Sequence, residues 1–67
     1  MDIYTLGQPV QTKVGDIEGI LTAVTIRPVG PVAYEVSYFN GGDYKSVWLS
    51  ETEFTVNFEQ KHSIGFK

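Results

Sequence analysis

Short runs of alternating apolar and polar residues, separated by glycine and proline, dominate this chain. In the clearest run Val32, Tyr34, Val36 and Tyr38 alternate with other residues. A period of two residues is typical of a β-strand with one buried face. No segment spaces its apolar residues at the intervals of an amphipathic helix, so the pattern predicts an all-β domain.

The turn-forming residues between these runs predict how the strands are connected. Asn40-Gly41-Gly42-Asp43 contains residues that tolerate positive φ, which favours a tight hairpin. In the segment 50–53, Ser50 and Glu53 have the spacing of a capping box, which predicts one helical turn before the last strand. The five predicted strands are residues 10–14, 20–26, 32–39, 44–49 and 54–58.

Strict alternation also assigns faces to the second predicted strand. One face carries Ile20, Val24 and Ile26, and the other carries Leu21, Ala23 and Thr25. After the last strand, the chain reads as a tail that is loose unless a partner orders it. We therefore predict a domain over residues 1–58 and a C-terminal tail over residues 59–67.

The small size of the chain limits how it can be stabilised. A chain of 67 residues buries only about 60% of its unfolded surface, and such domains usually need disulfides, a metal, oligomerisation or a very regular fold. Cysteine is absent, and His62 is the single histidine. The composition therefore predicts no metal and no cofactor, and it leaves self-association or a compact barrel as the sources of stability.

Charge and hydropathy narrow the classes of partner. Eight acidic residues against five basic ones give a net charge of −3, which argues against general nucleic-acid binding. No apolar run approaches the roughly 20 residues that span a bilayer, and no signal-peptide pattern begins the chain. We expect a cytoplasmic protein without a membrane partner, or a protein of the virion or host cytoplasm if a phage encodes it.

The order of the predicted elements resembles that of the SH3-like small β-barrels. The likeness covers roughly residues 7–58. The segments on which it rests are Gly7-Gln8-Pro9-Val10, Gly19-Ile20-Leu21, Tyr34-Glu35-Val36-Ser37-Tyr38, Val47-Trp48-Leu49 and the following Ser50-Glu51-Thr52-Glu53-Phe54. The resemblance implies a five-stranded barrel with one short helical turn before its last strand. The chain also resembles the small uncharacterised barrel proteins of bacteriophages, which implies a structural or host-interaction role.

Departures from three barrel families bear on function. The Ala-Leu-Tyr-Asp-Tyr stretch of the proline-binding SH3 domains has no counterpart here, and the aromatic spacing does not match a Tudor-type cage. The small plasmid-borne dihydrofolate reductase uses a Val-Gln-Ile-Tyr strand, where this chain has Val47-Trp48-Leu49-Ser50. The glutamine and tyrosine of that strand are therefore missing, and its activity is not carried over.

Aromatic residues at the predicted hairpin form the main candidate site. If Val47 and Leu49 point inward, Tyr44 and Trp48 point outward with Phe39. Such a cluster either stabilises the sheet or serves as an interface. The nearby carboxylates Glu35 and Asp43 could complement a cationic ligand.

No residue pattern supports an enzyme. The acidic pairs Asp16 with Glu18 and Glu51 with Glu53 fall in polar segments, where solvent is expected to surround them. His62 has no visible general-base partner. We expect a non-enzymatic module that binds a protein or itself. A recognition barrel for a peptide or a small cationic group is the alternative, and an oligomeric small-barrel enzyme is a further one.

Overall fold

The computed structural model describes residues 2–57 and 59–63. These residues form seven strands and a single 3-10 turn, so the predictions of an all-β chain and of one helical turn are confirmed. The elements are β1 (Asp2–Tyr4), β2 (Pro9–Thr12), β3 (Glu18–Thr25), β4 (Ala33–Asn40), β5 (Asp43–Ser50), the 3-10 turn (Glu51–Glu53), β6 (Phe54–Val56) and β7 (Lys61–Ser63).

The strands form two antiparallel sheets. The main sheet has the order β5-β4-β3-β2-β6, and β1 pairs with β7 in a separate terminal pair. The prediction of a five-stranded closed barrel is therefore wrong in both strand number and closure. Closure requires the first and last strands of a sheet to pair. Here β5 and β6 are the two ends of an open sheet.

The predicted turns between β4 and β6 are confirmed. Gly41 and Gly42 have φ values of 63° and 86°, as a two-residue hairpin loop requires. The Ser50 backbone N–H donates a 3.0 Å hydrogen bond to Glu53 Oε1, which completes one half of the capping box. Phe58, the last position of the predicted final strand, lies outside the described residues.

A β-bulge in β3 changes which residues of this strand face the core. The pairing with β4 shifts between Leu21, opposite Val36, and Ala23, opposite Glu35. The extra residue, Thr22, brings Leu21 and Val24 to the same side of the sheet. The predicted faces of this strand are therefore wrong, because strict alternation ignores the bulge.

An aromatic triad connects the two sheets. Tyr4 of β1, Tyr34 of β4 and Phe54 of β6 lie with ring centroids 5.6–5.7 Å apart. Tyr34 is completely buried together with Leu21 and Val36. The inward orientation that the alternation of residues 32–39 predicts for Tyr34 and Val36 is confirmed. Through Tyr4, the terminal pair β1–β7 therefore contributes to the hydrophobic core of the main sheet.

Hydrogen bonds also hold the terminal pair in place. The Thr5 N–H donates to Gln60 O at 2.8 Å, and the buried Gln8 side chain donates 3.0 Å bonds to both Thr5 O and Gln60 O. Residues 61–63, predicted to belong to a loose tail, instead pair with β1. Residues 64–67 of the same predicted tail lie outside the described residues.

Replacing Gly19 with alanine should destabilise the fold by about 1–3 kcal/mol, the usual range for overpacking. A Cβ at this position of β3 would lie 2.7 Å from both Ser37 O and Val36 Cγ1. Urea unfolding measures the change, and Thr25→Ala, an exposed substitution in the same strand, should cost no more than about 0.5 kcal/mol. A Gly19→Ala protein as stable as the original would contradict the close approach.

Candidate functional site

Four large apolar side chains are exposed on the side of the main sheet that faces away from the core, which we call the outer face. They are Ile20 of β3, Phe39 of β4, and Tyr44 and Trp48 of β5, with exposed fractions of 47%, 62%, 83% and 49%. The predicted outward orientation of Phe39, Tyr44 and Trp48 is confirmed. Their use as an interface stays a prediction.

The register of the β4–β5 hairpin sets the spacing of these aromatic rings. Phe39 lies opposite Tyr44, and their ring centroids are 5.2 Å apart in an edge-to-face arrangement. Trp48 lies opposite Glu35, and the pair Ser37–Ser46 separates it from the other two rings. The outer face therefore carries an aromatic pair and a separate tryptophan, where the sequence predicted one cluster.

Polar contacts occupy the centre of the outer face. The Thr22 hydroxyl donates a 2.8 Å hydrogen bond to Glu35 Oε1 and lies 2.8 Å from the Ser37 hydroxyl. Glu35 thus lies beside Trp48 on the face where the sequence predicted it. Asp43 pairs with Asn40, and alternation places both on the opposite side from Tyr44. The structure brings Glu35 to the aromatic residues, but it does not bring Asp43 there.

A shallow depression of about 300 Å³ borders the aromatic pair. Ile20 lies opposite Ser37 and lines this depression with Pro9, Phe39 and Tyr44. Sequence reasoning missed Ile20 as a surface residue, because it grouped this side chain with Val24. Before the bulge, β3 alternates normally, so the inward position of Leu21 places its neighbour Ile20 on the outer face.

A second cavity lies on the inner side of the main sheet. It has a volume of about 250 Å³, and its apolar lining comes from Val14, Ile17, Tyr38, Val47 and Leu49. The first two residues belong to the β2–β3 connection, and the others belong to β4 and β5. This groove follows from the open sheet, because no strand continues the sheet beyond β5 among the described residues.

Glu51, Glu53 and His62 have local structural contacts. Glu51 accepts a 3.0 Å hydrogen bond from the Tyr34 hydroxyl and lies 3.9 Å from Lys61 Nζ, while Glu53 caps the 3-10 turn. His62 Nδ1 lies 3.3 Å from the Thr5 hydroxyl. Within residues 2–57 and 59–63, no three acidic or histidine side chains are grouped as metal ligands would be.

Comparison of the chain with protein-family models, with curated proteins and with solved structures gave no significant match. In the described part of the chain, no helix has both the length and the apolar character needed to cross a bilayer.

Proposed function

We propose that this protein is a non-enzymatic interaction or assembly module that binds a protein through its outer face. The observation that carries this proposal is the exposure of Ile20, Phe39, Tyr44 and Trp48 on one face of three adjacent strands. Tryptophan and tyrosine contribute most to interface hot spots, and an exposed apolar patch with polar surroundings is typical of an interaction site.

The backbone supports this use of the outer face. The β4–β5 register runs through eight residue pairs without a shift, so the aromatic side chains stand on a regular hairpin. Rigid placement lowers the entropy that a contact residue loses on binding. Small domains with a limited core also gain stability from association. In the described part of the chain, the largest fully buried side chains are Leu21, Tyr34 and Val36.

The order of elements in the second half of the main sheet matches that of an SH3-like small barrel. A tight hairpin, a helical turn and a short last strand follow one another in β4 to β6, in the order that the resemblance to SH3-like small barrels predicts. We assign the main sheet to an opened form of that architecture. A role in a phage particle, or in binding a host or bacterial protein, stays a prediction from the sequence.

Photo-crosslinking from the outer face tests the proposed function. A photoreactive phenylalanine analogue in place of Phe39, 62% exposed, should give a defined crosslinked product in the cells that make the protein. The same analogue in place of Val29, which is 86% exposed in the β3–β4 connection, is the matched control and should give none. Equal amounts of crosslinked product from positions 39 and 29, or no product from position 39, would contradict the proposal.

Recognition of a small cationic group is the second candidate function. The cross-strand pair Glu35–Trp48 favours it, because an aromatic ring and a carboxylate together attract a cation. Titration with trimethyllysine peptides should then quench Trp48 fluorescence, and the Glu35→Gln variant should bind more weakly. Unchanged fluorescence at millimolar peptide would exclude this use of the pair.

A further inference from the structure

Among residues 2–57 and 59–63, the open end of the main sheet is a strand edge with no paired strand. β5 is eight residues long, pairs with β4 without a bulge, and contains no proline. Proteins commonly blunt such edges with short strands, bulges or proline, because unpaired backbone groups bind further strands. The opposite edge strand, β6, has only three residues. β5 is therefore the edge on which another strand could be added.

Alternation of the hairpin ladder identifies the backbone groups at this edge. A two-residue loop makes Asn40 and Asp43 a hydrogen-bonded pair, so the next pair, Phe39 and Tyr44, is not hydrogen-bonded. The N–H and C=O groups of Tyr44, Ser46, Trp48 and Ser50 then point away from β4. The Ser50 N–H follows this rule, because it donates to Glu53 Oε1.

We propose that β5 pairs with β5 of a second copy of this chain, in an antiparallel arrangement with Ser46 opposite Ser46. This inference rests on the proposed function and names a second copy as the partner, bound at the strand edge that borders the outer face. In this register Tyr44 lies opposite Trp48 of the second copy, and Trp48 lies opposite Tyr44 of the second copy. The two aromatic pairs form by symmetry, as an isologous interface requires.

Two constraints restrict the register of this pairing. The backbone groups that point outward belong to even-numbered residues, so only even-numbered residues can form the hydrogen-bonded pairs between copies. Registers centred on Val47 or Trp48 would place Tyr44 or Ser46 opposite Ser50, whose N–H already donates to Glu53. Centring on Ser46 pairs the outward-pointing backbone groups of all three residues Tyr44, Ser46 and Trp48 from each copy and leaves the cap of the 3-10 turn intact.

Of the two charged residues of β5, Asp43 is the first residue of the strand, and Lys45, inside the paired segment, is compatible with the pairing. Lys45 occupies the inner side of the sheet and would lie opposite Val47 of the second copy. Its aliphatic stem can cover that side chain while the ammonium group stays in water. On the other side, the outer faces of both copies become one surface, because directly paired residues of antiparallel strands share a face. Phe39 of each copy, which lies opposite Tyr44, would flank the new aromatic pairs.

Single-cysteine variants test the register directly, because the chain has no cysteine of its own. Ser46→Cys should form a disulfide-linked dimer under mild oxidation, since the two Cα atoms would lie about 5.5 Å apart, within disulfide range. Ser37→Cys makes the same chemical change on the neighbouring strand and is the matched control. It should form dimers at least roughly tenfold more slowly, because β5 of both copies separates the two sites.

Hydrogen exchange on the unmodified chain gives a second test that no substitution can disturb. Amides of Tyr44, Ser46 and Trp48 should exchange roughly tenfold or more slowly at millimolar than at micromolar concentration. Amides of Lys45 and Val47, which bond to β4, should change much less. Light scattering over the same range should show a concentration-dependent dimer.

The outcomes separate this inference from the proposed function. A monomer at every concentration, with fast exchange at the three edge amides, overturns the β5–β5 pairing, as do equal crosslinking rates of Ser46→Cys and Ser37→Cys. Crosslinking from position 39 to a different protein would still support the interaction module. A crosslinked product of twice the chain mass would support both proposals.

Discussion

Replacing Phe54 with alanine is expected to destabilise the protein by about 3–5 kcal/mol, the usual cost of deleting a buried aromatic ring. Phe54 is 3% exposed and contacts both Tyr4 and Tyr34 through ring edges. A domain of 67 residues has a total stability of about 3–10 kcal/mol. The variant should therefore lose much or all of its cooperative unfolding transition in urea.

Phe39→Ala is the matched control for this loss. It removes the same side chain from the outer face, where the ring is 62% exposed and contacts Tyr44. A cross-strand aromatic pair contributes about 0.2–1 kcal/mol, so this variant should remain folded. If the two substitutions reduced the free energy of unfolding equally, the aromatic triad would not be the centre of the core.

Alkaline pH is expected to weaken the fold through Tyr34. The pKa of Tyr34 is raised to about 12, mainly by burial; the hydrogen bond to the Glu51 carboxylate also raises it, and the Tyr4 N–H lowers it. The unfolded chain releases the phenol proton near pH 10, while the folded chain retains it. Stability from this group is therefore complete below pH 10 and decreases by about 1.4 kcal/mol per pH unit until about pH 12.

Urea unfolding between pH 8 and pH 12, with phenolate absorbance, measures this effect. Tyr34→Phe should remove the Tyr34 contribution to the slope, leaving that of Tyr4, whose pKa burial also raises. At neutral pH the same variant should lose about 1–3 kcal/mol, because the Tyr4 N–H loses its 3.1 Å acceptor.

Glu51→Gln tests how much the negative charge of Glu51 contributes to the raised pKa of Tyr34. It keeps an acceptor for the Tyr34 hydroxyl but removes the carboxylate charge, so the pKa of Tyr34 should fall toward its ordinary value. An identical pH dependence in the original chain and in Tyr34→Phe would contradict the assignment.

Local signals in the sequence were sufficient for the central part of the fold. The alternation around Tyr34 and Val36 identified β4, Gly41-Gly42 identified the hairpin, and Ser50 with Glu53 identified the 3-10 turn. Each of these features depends on residues close together along the chain. The hairpin fixed its own register, because a two-residue loop leaves one choice of pairing.

Features that depend on distant residues could not be predicted in this way. β1 and β7 have three residues each, too few for a periodic signal, and they pair Asp2 with Ser63 across most of the chain. The bulge at Thr22 likewise leaves no pattern that alternation can detect. That bulge is also why the outward position of Ile20 was missed. Phe39, Tyr44 and Trp48 were placed correctly, because alternation holds without a break in β4 and β5.

Pairing of the two ends has a mechanical consequence. Asp2 lies opposite Ser63, and Tyr4 lies opposite Lys61, so both ends of the described chain leave the terminal pair at the same side. A pulling force on these ends would open the ladder bonds one after another, as a zipper opens, without shearing them together. The load would next reach the hydrogen bond between the Tyr4 N–H and the Tyr34 hydroxyl. Under tension the protein should therefore yield at its terminal pair while the main sheet, with its outer face, stays assembled.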